Sequence, residues 1–578
     1  VIEHKFNLLG SGVTINNPID WHLDFKSGYR WPKGKFYKDY VQVDLSNNAD
    51  VKVPRELSRS HHFLWLGQAY LITEDEKYAK EIINQISHWI DENPVMYSIN
   101  WGCAMDVAIR AVNWMYAINM IINSNEVRDS FIKELVRSLY AHGYFIYHNL
   151  EKGYPYSGNH YAANLAGLIF LGAFFKDIKD GEIWFCNGLK EFYKEIRSQV
   201  LPSGVHFERS TSYHRLVLEL FFYTYLMLKR TGQNIPLDIR YRIDQMFIFT
   251  IHYIKPDGYA PLIGDEDNGQ FLSFNPERLK RDHRYLLSLA AVEYNKPLYK
   301  KYSAGIIDEL FFFLHSNSYE TFKKLPATSQ ILLSKAFPDA GFCIIRNKKI
   351  YIFINNSGAT KYTDQTKKWG SHAHADLLSF ELAYGNESFL VDPGTFNYTA
   401  HAKDRDIFRG TKMHNTLMID HNNQHIFPGN DIFKCTQIAK PVKFTYEFSE
   451  ENDVFKGSHD GYERLDEPVL HHRTFSLIKG IDEVEIIDLL SGKGKHKLEW
   501  NFHFDTRIDF EIFKNYIRTN NASGNNMEIK FYSTFPITLK KVKDWVSKSY
   551  GIKESTVSLV VCADTIVPCR ILFNISFV

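Results

Sequence analysis

The spacing of apolar residues changes once along this chain of 578 residues, and that change limits the fold more than any other feature. Up to about residue 330, apolar side chains recur every three to four residues, as on one face of a helix. From about residue 340 they recur every second residue, as in strands. Since domains average ~100–200 residues, the length allows at least two. We therefore predict an α/α toroid domain at 1–335 and an antiparallel β-sandwich domain at 336–578.

The N-terminal part contains long amphipathic stretches joined by short polar or Gly/Pro segments. The clearest predicted helix starts with a capping box of Thr73 and Glu76 and ends at Asn93-Pro94. Further helices are predicted at about 104–123, 128–149, 160–175, 181–199, 212–231 and 237–254. Successive antiparallel helix pairs either stack as a solenoid or close into a ring, and we favour an incomplete toroid.

The C-terminal part has strand patterns bounded by Gly-Asn, Asn-Asn and Asp-Gly turns. The predicted strands are Gly341–Arg346, Ile350–Asn355, Leu377–Tyr384, Thr416–Asp420, Val484–Leu489 and Leu559–Val561. No low-complexity linker separates the two parts, so we expect them to pack tightly. A cleft between them is where we expect a functional site.

Composition excludes several classes of protein. The 68 Lys+Arg residues balance the 67 Asp+Glu residues, so we expect no nucleic-acid partner. We expect no membrane span, because no run of 18 apolar residues occurs. The 6 cysteines form no CxxC pair and are predicted to be buried thiols. GxGxxG, P-loop and GxSxG motifs are absent, which excludes dinucleotide, nucleotide and α/β-hydrolase sites. An aromatic content of 15% hints at carbohydrate binding.

The densest polar cluster is His372-Ala-His-Ala-Asp376, followed later by Asp392 and His414. An extended chain would place His372, His374 and Asp376 on one face with Leu378, Phe380 and Leu382. His374, Asp392 and His414 offer the two imidazoles and one carboxylate that suit zinc. The alternative is a set of buried histidines bonded to backbone carbonyls.

Two helix starts in the N-terminal part carry candidate catalytic residues. Asn159 and His160 open a helix whose N-terminus favours an anion, although an N-cap Asn beside an incidental His explains them too. Tyr213 lies at the next such start and could transfer a proton, or simply pack with a bonded hydroxyl.

Basic and aromatic residues near these segments are candidate substrate contacts. Arginine suits bidentate capture of a carboxylate or sulfate, although each charge alone is more typical of a solvated surface. The basic clusters are Arg55 and Arg59, Arg110, Arg209 and Arg215, Lys361, Lys367 and Lys368, and Arg405, Arg409 and Lys412. Trp101 could line a sugar groove or pack in the core. The acidic segment Gly264–Gly269 lacks the later Glu of a calcium loop, and we predict a polar loop at the cleft rim.

In this order the motifs resemble the heparinase II/III-like family of polysaccharide lyases, of the heparinase III type. The most specific matches are HxHxD at 372–376, DPG at 392–394 and HNT at 414–416. Weaker matches occur at 17–21, 52–59, 66–70 with 75–78, 100–106, 158–160 and 210–214. The resemblance implies a toroid followed by a β-sandwich, and cleavage of a uronic-acid polysaccharide by β-elimination to 4,5-unsaturated products.

The resemblance also implies roles for individual residues. Asn159 with His160 would neutralise the substrate carboxylate, Tyr213 would be the catalytic tyrosine, and His372 the cleft histidine. Nearby arginines would favour the Tyr213 phenolate. A structural zinc ion would be bound by His374, Asp392 and His414. The candidate substrate-binding residues are Arg55, Glu56, Trp101, Arg110, Arg209, His214, Tyr398 and Arg409, of which Tyr398 would be a second tyrosine.

Several alternatives stay open at this stage. The substrate could be heparan sulfate, another glycosaminoglycan, alginate or a capsular polymer, and endo or exo action and oligomeric state are not fixed. A glycoside hydrolase would need two cleft carboxylates, with Glu208, Asp265 and Glu266 as candidates. A non-catalytic carbohydrate-binding protein is a third reading. The resemblance favours a periplasmic or secreted location, and a chain that begins at Val1 says nothing about a signal peptide.

Overall fold

A computed structural model describes residues 1–153, 157–315, 317–358, 372–429, 431–436 and 439–578. Of the predicted basic clusters, Lys361, Lys367 and Lys368 lie outside these residues.

The N-terminal part is helical, as predicted. Its helices are α1 (Lys52–Ser58), α2 (His62–Thr73), α3 (Glu76–Glu92), α4 (Ala104–Ile121), α5 (Asp129–His148), α6 (Asn159–Phe174), α7 (Lys179–Gln199), α8 (Thr211–Arg230), α9 (Leu237–Tyr253), α10 (Arg284–Glu293), α11 (Pro297–Tyr302), α12 (Glu309–Phe313) and α13 (Ser318–Lys324). Short 3-10 helices cover Tyr37–Asp39 and Ile99–Trp101. The predicted helices are confirmed to within two or three residues at each end.

The predicted capping box is wrong. Thr73 is the last residue of α2, and its hydroxyl donates to the Ala69 carbonyl 2.7 Å away. The residue that caps α3 is Asp75, whose carboxylate accepts from the Lys77 backbone N–H. The two helices are joined by a turn of two residues, Glu74 and Asp75.

The helices form two layers. Helices α4, α6 and α8 are buried on nearly every side, whereas α3, α5 and α7 are amphipathic and keep one exposed face. Each inner helix contacts the outer helix that follows it, and the inner helices α2, α4, α6 and α8 contact one another in sequence order. This arrangement is the incomplete α/α toroid that the sequence predicted.

The C-terminal part is built from antiparallel sheets. Its strands are β3 (Lys335–Phe337), β4 (Phe342–Arg346), β5 (Ile350–Asn355), β6 (Ser379–Tyr384), β7 (Glu387–Leu390), β8 (Leu417–Ile419), β9 (Pro441–Phe448), β10 (Asn452–Tyr462), β11 (Val469–Ile478), β12 (Glu483–Gly492), β13 (Lys495–His503), β14 (Asp509–Ile512), β15 (Tyr516–Asn520), β16 (Met527–Ser533), β17 (Thr538–Ser549), β18 (Ile552–Ile566) and β19 (Cys569–Phe577). A small pair, β1 (Lys5–Phe6) and β2 (Thr14–Ile15), precedes the helices.

Three sheets make up the sandwich in the described part of the chain: β3-β4-β5-β6-β7, the eight-stranded β14-β15-β16-β19-β12-β11-β10-β9, and β17-β18-β13-β8. Every pair in them is antiparallel, as predicted. A short helix, α14 (Ala402–Phe408), and a 3-10 helix, Thr411–Met413, lie between β7 and β8 and were not predicted.

The sheet β3–β7 connects the two parts of the molecule. Tyr351 and Phe353 on one face belong to the same apolar core as the helices, and Ile352 and Ile354 on the other face belong to the core of the sandwich. This alternation is the period of two expected of a strand buried on both faces. The predicted boundary between 335 and 336 stays a prediction; it falls within β3. Among the described helices, none combines the length and apolar character needed to cross a bilayer.

The segment 372–378 corrects one detail of the sequence analysis. It is not extended, since β6 begins only at Ser379 and Leu378 has a φ of 61°. His372 and His374 both face Asp265, whereas Asp376 accepts from the Asn355 amide at 2.8 Å, so the three side chains do not all share one face. These side chains reach their partners through a turn instead.

Candidate active site

Asp265 lies at the centre of the candidate site, between the helical and β parts. Its carboxylate faces His372 Nδ1 at 3.0 Å and His374 Nε2 at 2.9 Å, and accepts two hydrogen bonds from the Arg405 guanidinium. Burial opposes ionisation of this carboxyl, yet Arg405 holds its pKa well below the usual range. Asp265 is thus a fixed anion that orients two imidazoles.

The loop that carries Asp265 is not at the cleft rim, where we predicted it. Residues 265–268 are all buried, because α8 and the segment after β7 cover the loop from both sides. Ser210 donates to the Asp265 carbonyl at 2.7 Å, and Glu266 N–H donates to Thr395 at 2.9 Å. The acidic string is therefore an internal connector between the two parts of the protein.

Tyr213 extends from the first turn of α8 into the same region. Ser210 caps this helix by accepting from the Tyr213 N–H at 3.1 Å. The Tyr213 ring stacks on the His372 imidazole, with centroids 3.9 Å apart and planes at 23°. Its hydroxyl donates to Asp267 at 3.0 Å and lies 3.2 Å from the Tyr398 hydroxyl. Two residues predicted from distant motifs are thus in direct contact.

The charges around Tyr213 differ from those we expected. Burial raises the pKa of the phenol well above its ordinary value, and the nearby carboxylates of Asp267 and Asp265 raise it further. The predicted effect of arginines is wrong, because Arg405 and Arg59 are themselves bonded to carboxylates, Asp265 and Asp106. Tyr213 is therefore a neutral phenol in the absence of a ligand.

Tyr398 reaches the site from the β part. Its N–H donates to the Tyr550 hydroxyl at 2.9 Å, and its ring lies under the Arg405 guanidinium at 4.8 Å and near Lys52 Nζ at 5.5 Å. The structure therefore places this second tyrosine beside Tyr213, which the sequence could not do securely.

Asn159 and His160 open α6, as predicted. The Asn159 amide donates to both oxygens of Glu208, at 3.1 and 3.0 Å, and Glu208 is one of the charges that act on Tyr213. His160 is about half exposed and its Nδ1 lies 2.9 Å from Glu151. Partial burial opposes protonation of His160, but Glu151 and Cys103 together raise its pKa well above the usual value. The Asn159 amide is thus held by the Glu208 carboxylate.

Cations on α1 and at its C-terminal cap contact carboxylates, one of which is Asp267, the partner of Tyr213. Lys52 Nζ lies 2.6 Å from Asp267, and Arg59 Nε lies 2.7 Å from Asp106. Arg55 donates to Gln42 at 2.8 Å and has Asp106 3.7 Å away. Burial opposes ionisation of Asp267, but Lys52 and Arg59 lower its pKa. These three cations are therefore each paired with, or close to, a carboxylate of the protein.

Glu56 lies on the same helix, and its carboxylate pairs with Arg59 at 3.0 Å. Two arginines among the predicted substrate contacts are also held by protein groups. Arg209 donates to the carbonyls of Gly358 and Asp339. Arg409 pairs with Asp406 and covers the Phe427 ring at 4.1 Å.

Three predicted substrate contacts lie in the helical core and not at the cleft. Trp101 is 1% exposed, and Arg110 and His214 are 0% exposed. Arg110 stacks on Trp89 at 4.0 Å and donates to His142 at 2.9 Å. All three side chains are therefore too deeply buried for a polysaccharide to contact them. The sequence pattern of a helix does not distinguish an arginine that faces solvent from one that stacks on an aromatic ring, as Arg110 does on Trp89. This is why Arg110 was wrongly predicted to contact the substrate.

The predicted metal ligands His374, Asp392 and His414 converge in the β part. One donor atom from each lies within 4.8 Å of the others, and all three residues are buried. His374 Nδ1 and His414 Nε2 have no hydrogen-bond partner of acceptable geometry in the described part of the chain. His374 gives its other nitrogen to Asp265, the carboxylate partner that metal-bound imidazoles usually have. The residues fit a tetrahedral zinc ion.

Sequence reasoning missed several residues of the site. Asp265 was considered only as a hydrolase carboxylate, Asp267 was not singled out, and Arg405 was only one of many basic residues. The available signal was the density of acids in Asp265-Glu-Asp267. His372 and Arg405, partners of Asp265, are 107 and 140 residues away, and Tyr213 and Lys52, partners of Asp267, are 54 and 215 residues away, so no local pattern could pair them.

Comparison with known proteins bears on the family and the fold. Residues 1–277 match the family Heparinase II/III N-terminus, and residues 332–573 match Heparinase II/III-like, C-terminal. A heparin-sulfate lyase of Pedobacter heparinus is 25% identical over 535 residues, which are 90% of this chain and 73% of the relative. A heparin-sulfate lyase of Bacteroides stercoris is 22% identical over 537 residues, covering 87% and 71% of the two chains.

Solved structures share the fold. A crystal structure of heparinase III superposes with a TM-score of 0.70 at 18% identity and covers 93% of this chain and 79% of its own. The heparan sulfate lyase from Pedobacter heparinus superposes with a TM-score of 0.62 at 21% identity, covering 100% and 81%. Since both family matches and the fold agree along the chain, this protein belongs to the heparinase II/III-like family.

Proposed function

We propose that this protein is a carbon–oxygen lyase that cleaves a uronic-acid-containing polysaccharide by β-elimination and leaves a 4,5-unsaturated sugar. The observation that carries this proposal is the stacking of Tyr213 on His372, with ring centroids 3.9 Å apart. A phenol and an imidazole are thus in contact, and the third group, the Asn159 amide, donates to Glu208, whose charge acts on Tyr213. These are the group types that the reaction needs.

β-Elimination removes the weakly acidic C5 proton next to the carboxylate and expels the sugar oxygen at C4. Donors on the carboxylate stabilise the developing charge, and losing one such donor typically costs ~10²–10³ in rate. Asn159 at the N-terminus of α6, with the half-exposed His160 beside it, supplies those donors. Glu208 now accepts from the Asn159 amide, so the substrate carboxylate takes over that bond when it binds.

Tyr213 and His372 divide the proton transfers. Asp265 accepts a hydrogen bond from His372 Nδ1–H, which assigns the proton to Nδ1 and leaves the Nε2 lone pair as an acceptor. Tyr213 is neutral at rest, because burial and two carboxylates raise its pKa. We therefore assign proton abstraction to His372 and protonation of the leaving oxygen to Tyr213. Tyr398, 3.2 Å away, can keep the Tyr213 hydroxyl in place.

A zinc ion bound by His374, Asp392 and His414 would be structural. When bound between Asp392 and His414 Nδ1, which are 2.8 Å apart, it would give the orphan His374 Nδ1 a partner and crosslink the segments around 374, 392 and 414. His374 also faces Asp265, so its orientation is coupled to that of His372.

The substrate class that we favour is a glycosaminoglycan of the heparan sulfate type. The support is the name of the relatives, heparin-sulfate lyases, together with Lys52, Arg55 and Arg59 along one edge of the cleft. The family resemblance supports a periplasmic or secreted location. A hydrolase is less well supported, because the similar proteins are named lyases and the Asp265 carboxylate is already engaged by Arg405, His372 and His374.

The test is a screen of heparan sulfate, chondroitin sulfate, hyaluronan and alginate, read by the ultraviolet absorbance of the unsaturated uronate. We expect absorbance to rise with heparan sulfate, and Tyr213→Phe to lower kcat by ~10²–10⁴ while oligosaccharide binding is kept. Tyr223→Phe is the matched control: it lies on the same helix, is buried, and its hydroxyl has no partner among the described residues. Reducing ends that appear without ultraviolet absorbance would refute elimination.

A further inference from the structure

Three side chains of different chemistry meet beside the cleft, outside the His374 cluster. Cys103 precedes α4, Glu151 follows α5, and His160 is the second residue of α6. The Cys103 thiol lies 3.5 Å from the Glu151 carboxylate and 3.7 Å from His160 Nδ1, and the latter two groups are 2.9 Å apart. Thiol, carboxylate and imidazole are the donors that zinc proteins use.

The three distances are close to those within a tetrahedral site. Bonds of about 2.3 Å to sulfur and about 2.0–2.1 Å to nitrogen and oxygen place sulfur about 3.5 Å from either of the other ligands. The same geometry places nitrogen and oxygen about 3.3 Å apart. The observed separations from sulfur already fit, and only the pair of Glu151 and His160 must open by a few tenths of an ångström.

The surroundings hold Glu151 in the required orientation. Its other oxygen accepts from the Met105 N–H at 2.8 Å and from the Asn164 amide at 3.1 Å, and its own N–H donates to Asn164 at 2.7 Å. Bonds of this kind orient carboxylate ligands in metal sites. Cys103 is buried, whereas about half of the His160 side chain is exposed, so the group is closed on one side and open toward the cleft.

We propose that Cys103, Glu151 and His160 form a second metal site, which binds a thiophilic divalent cation such as Zn²⁺. The ion replaces the thiol proton and the proton between Glu151 and His160, and both protons pass to solvent. Three protein ligands leave a fourth position open on the exposed side, where a water or an anionic oxygen can bind. This site differs from the group of His374, Asp392 and His414 because it contains a thiolate.

The thiolate gives the site its own signature. Titration of the protein with Cd²⁺ is expected to produce a thiolate charge-transfer band in the ultraviolet that saturates at one equivalent. Cys103→Ser should remove the band, and Cys186→Ser, which changes an exposed cysteine, should keep it. Glu151→Gln, which retains the thiol, should weaken Cd²⁺ binding at least tenfold. This second variant keeps the test decisive if Cys103→Ser fails to fold.

Metal content provides a second measurement. If zinc already fills the site, no band grows, but the wild type holds one zinc equivalent more than Cys103→Ser. The proposal is wrong if the band persists in Cys103→Ser, or if no band appears and the two proteins hold equal zinc. None of these readings depends on lyase activity, so they stand or fall separately from the proposed function.

Discussion

Replacement of Asp265 by Asn tests the centre of the site, because one buried carboxylate serves three partners. The amide has the same shape but carries no charge, so Arg405 loses its counter-ion and one of the two imidazoles faces an N–H₂ group. Both Asp265 and Arg405 have side chains that are 0% exposed, so water cannot replace the lost charge. The substitution therefore separates charge from packing.

The expected cost follows from that burial. Removal of one partner of a buried ion pair costs about 3–5 kcal/mol, which at about 2 °C per kcal/mol lowers Tm by roughly 6–10 °C. Catalysis falls as well, because the carboxylate fixes the His372 Nδ1–H tautomer. Loss of an oriented base is expected to lower kcat by ~10²–10⁴.

Thermal melts and ultraviolet rate assays well below Tm measure the two effects. Asp406→Asn is the control. Asp406 lies on α14, as Arg405 does, and pairs with Arg409, but its side chain is 34% exposed. Its loss is expected to cost about 1 kcal/mol or less. If Asp265→Asn melts within 2 °C of the wild type (about 1 kcal/mol) and keeps more than a tenth of kcat, the central role of this carboxylate is refuted.

Three further predictions concern other parts of the molecule. His414→Ala is expected to lower the zinc content by one equivalent, as read by elemental analysis, and to lower Tm; unchanged zinc would argue against the proposed ligands. Glu56→Gln is expected to destabilise most near neutral pH: burial would raise the pKa of Glu56, but Arg59 and His61 lower it to about 2. Because the pKa of Glu56 is lower in the folded state than its unfolded value of about 4.3, its charge stabilises the fold fully above about pH 4.3, and this stabilisation is lost as the pH falls toward 2. The difference in Tm between the wild type and Glu56→Gln should therefore narrow near pH 2. Arg110→Ala is expected to cost about 2–5 kcal/mol by leaving a cavity and unpaired groups at His142 and Asn100, with KM unchanged; a raised KM at unchanged Tm would contradict its place in the core.

Local periodicity was sufficient wherever neighbours in the chain decide the structure. The helix predicted at 128–149 is observed as Asp129–His148, and the strand predicted at Ile350–Asn355 has those bounds. Prediction failed where a partner from elsewhere competes. Thr73 bonds back to Ala69 and so cannot cap the next helix, and the turn at Leu378 interrupts a pattern that reads as one strand.

The amino-acid sequence by itself determined the two-part architecture, the chemistry of the candidate residues and the family, because spacing and residue type are local properties. Only the tertiary structure decided which groups meet. It stacked Tyr213 on His372, brought Tyr398 to the same phenol, and buried Asp265 between two imidazoles and Arg405. It also showed that Arg110 and Trp101 lie in the core and not at the surface. Contacts between residues more than a hundred positions apart depend on how helices and sheets pack, and electrostatic environment follows from those contacts and not from the order of residues.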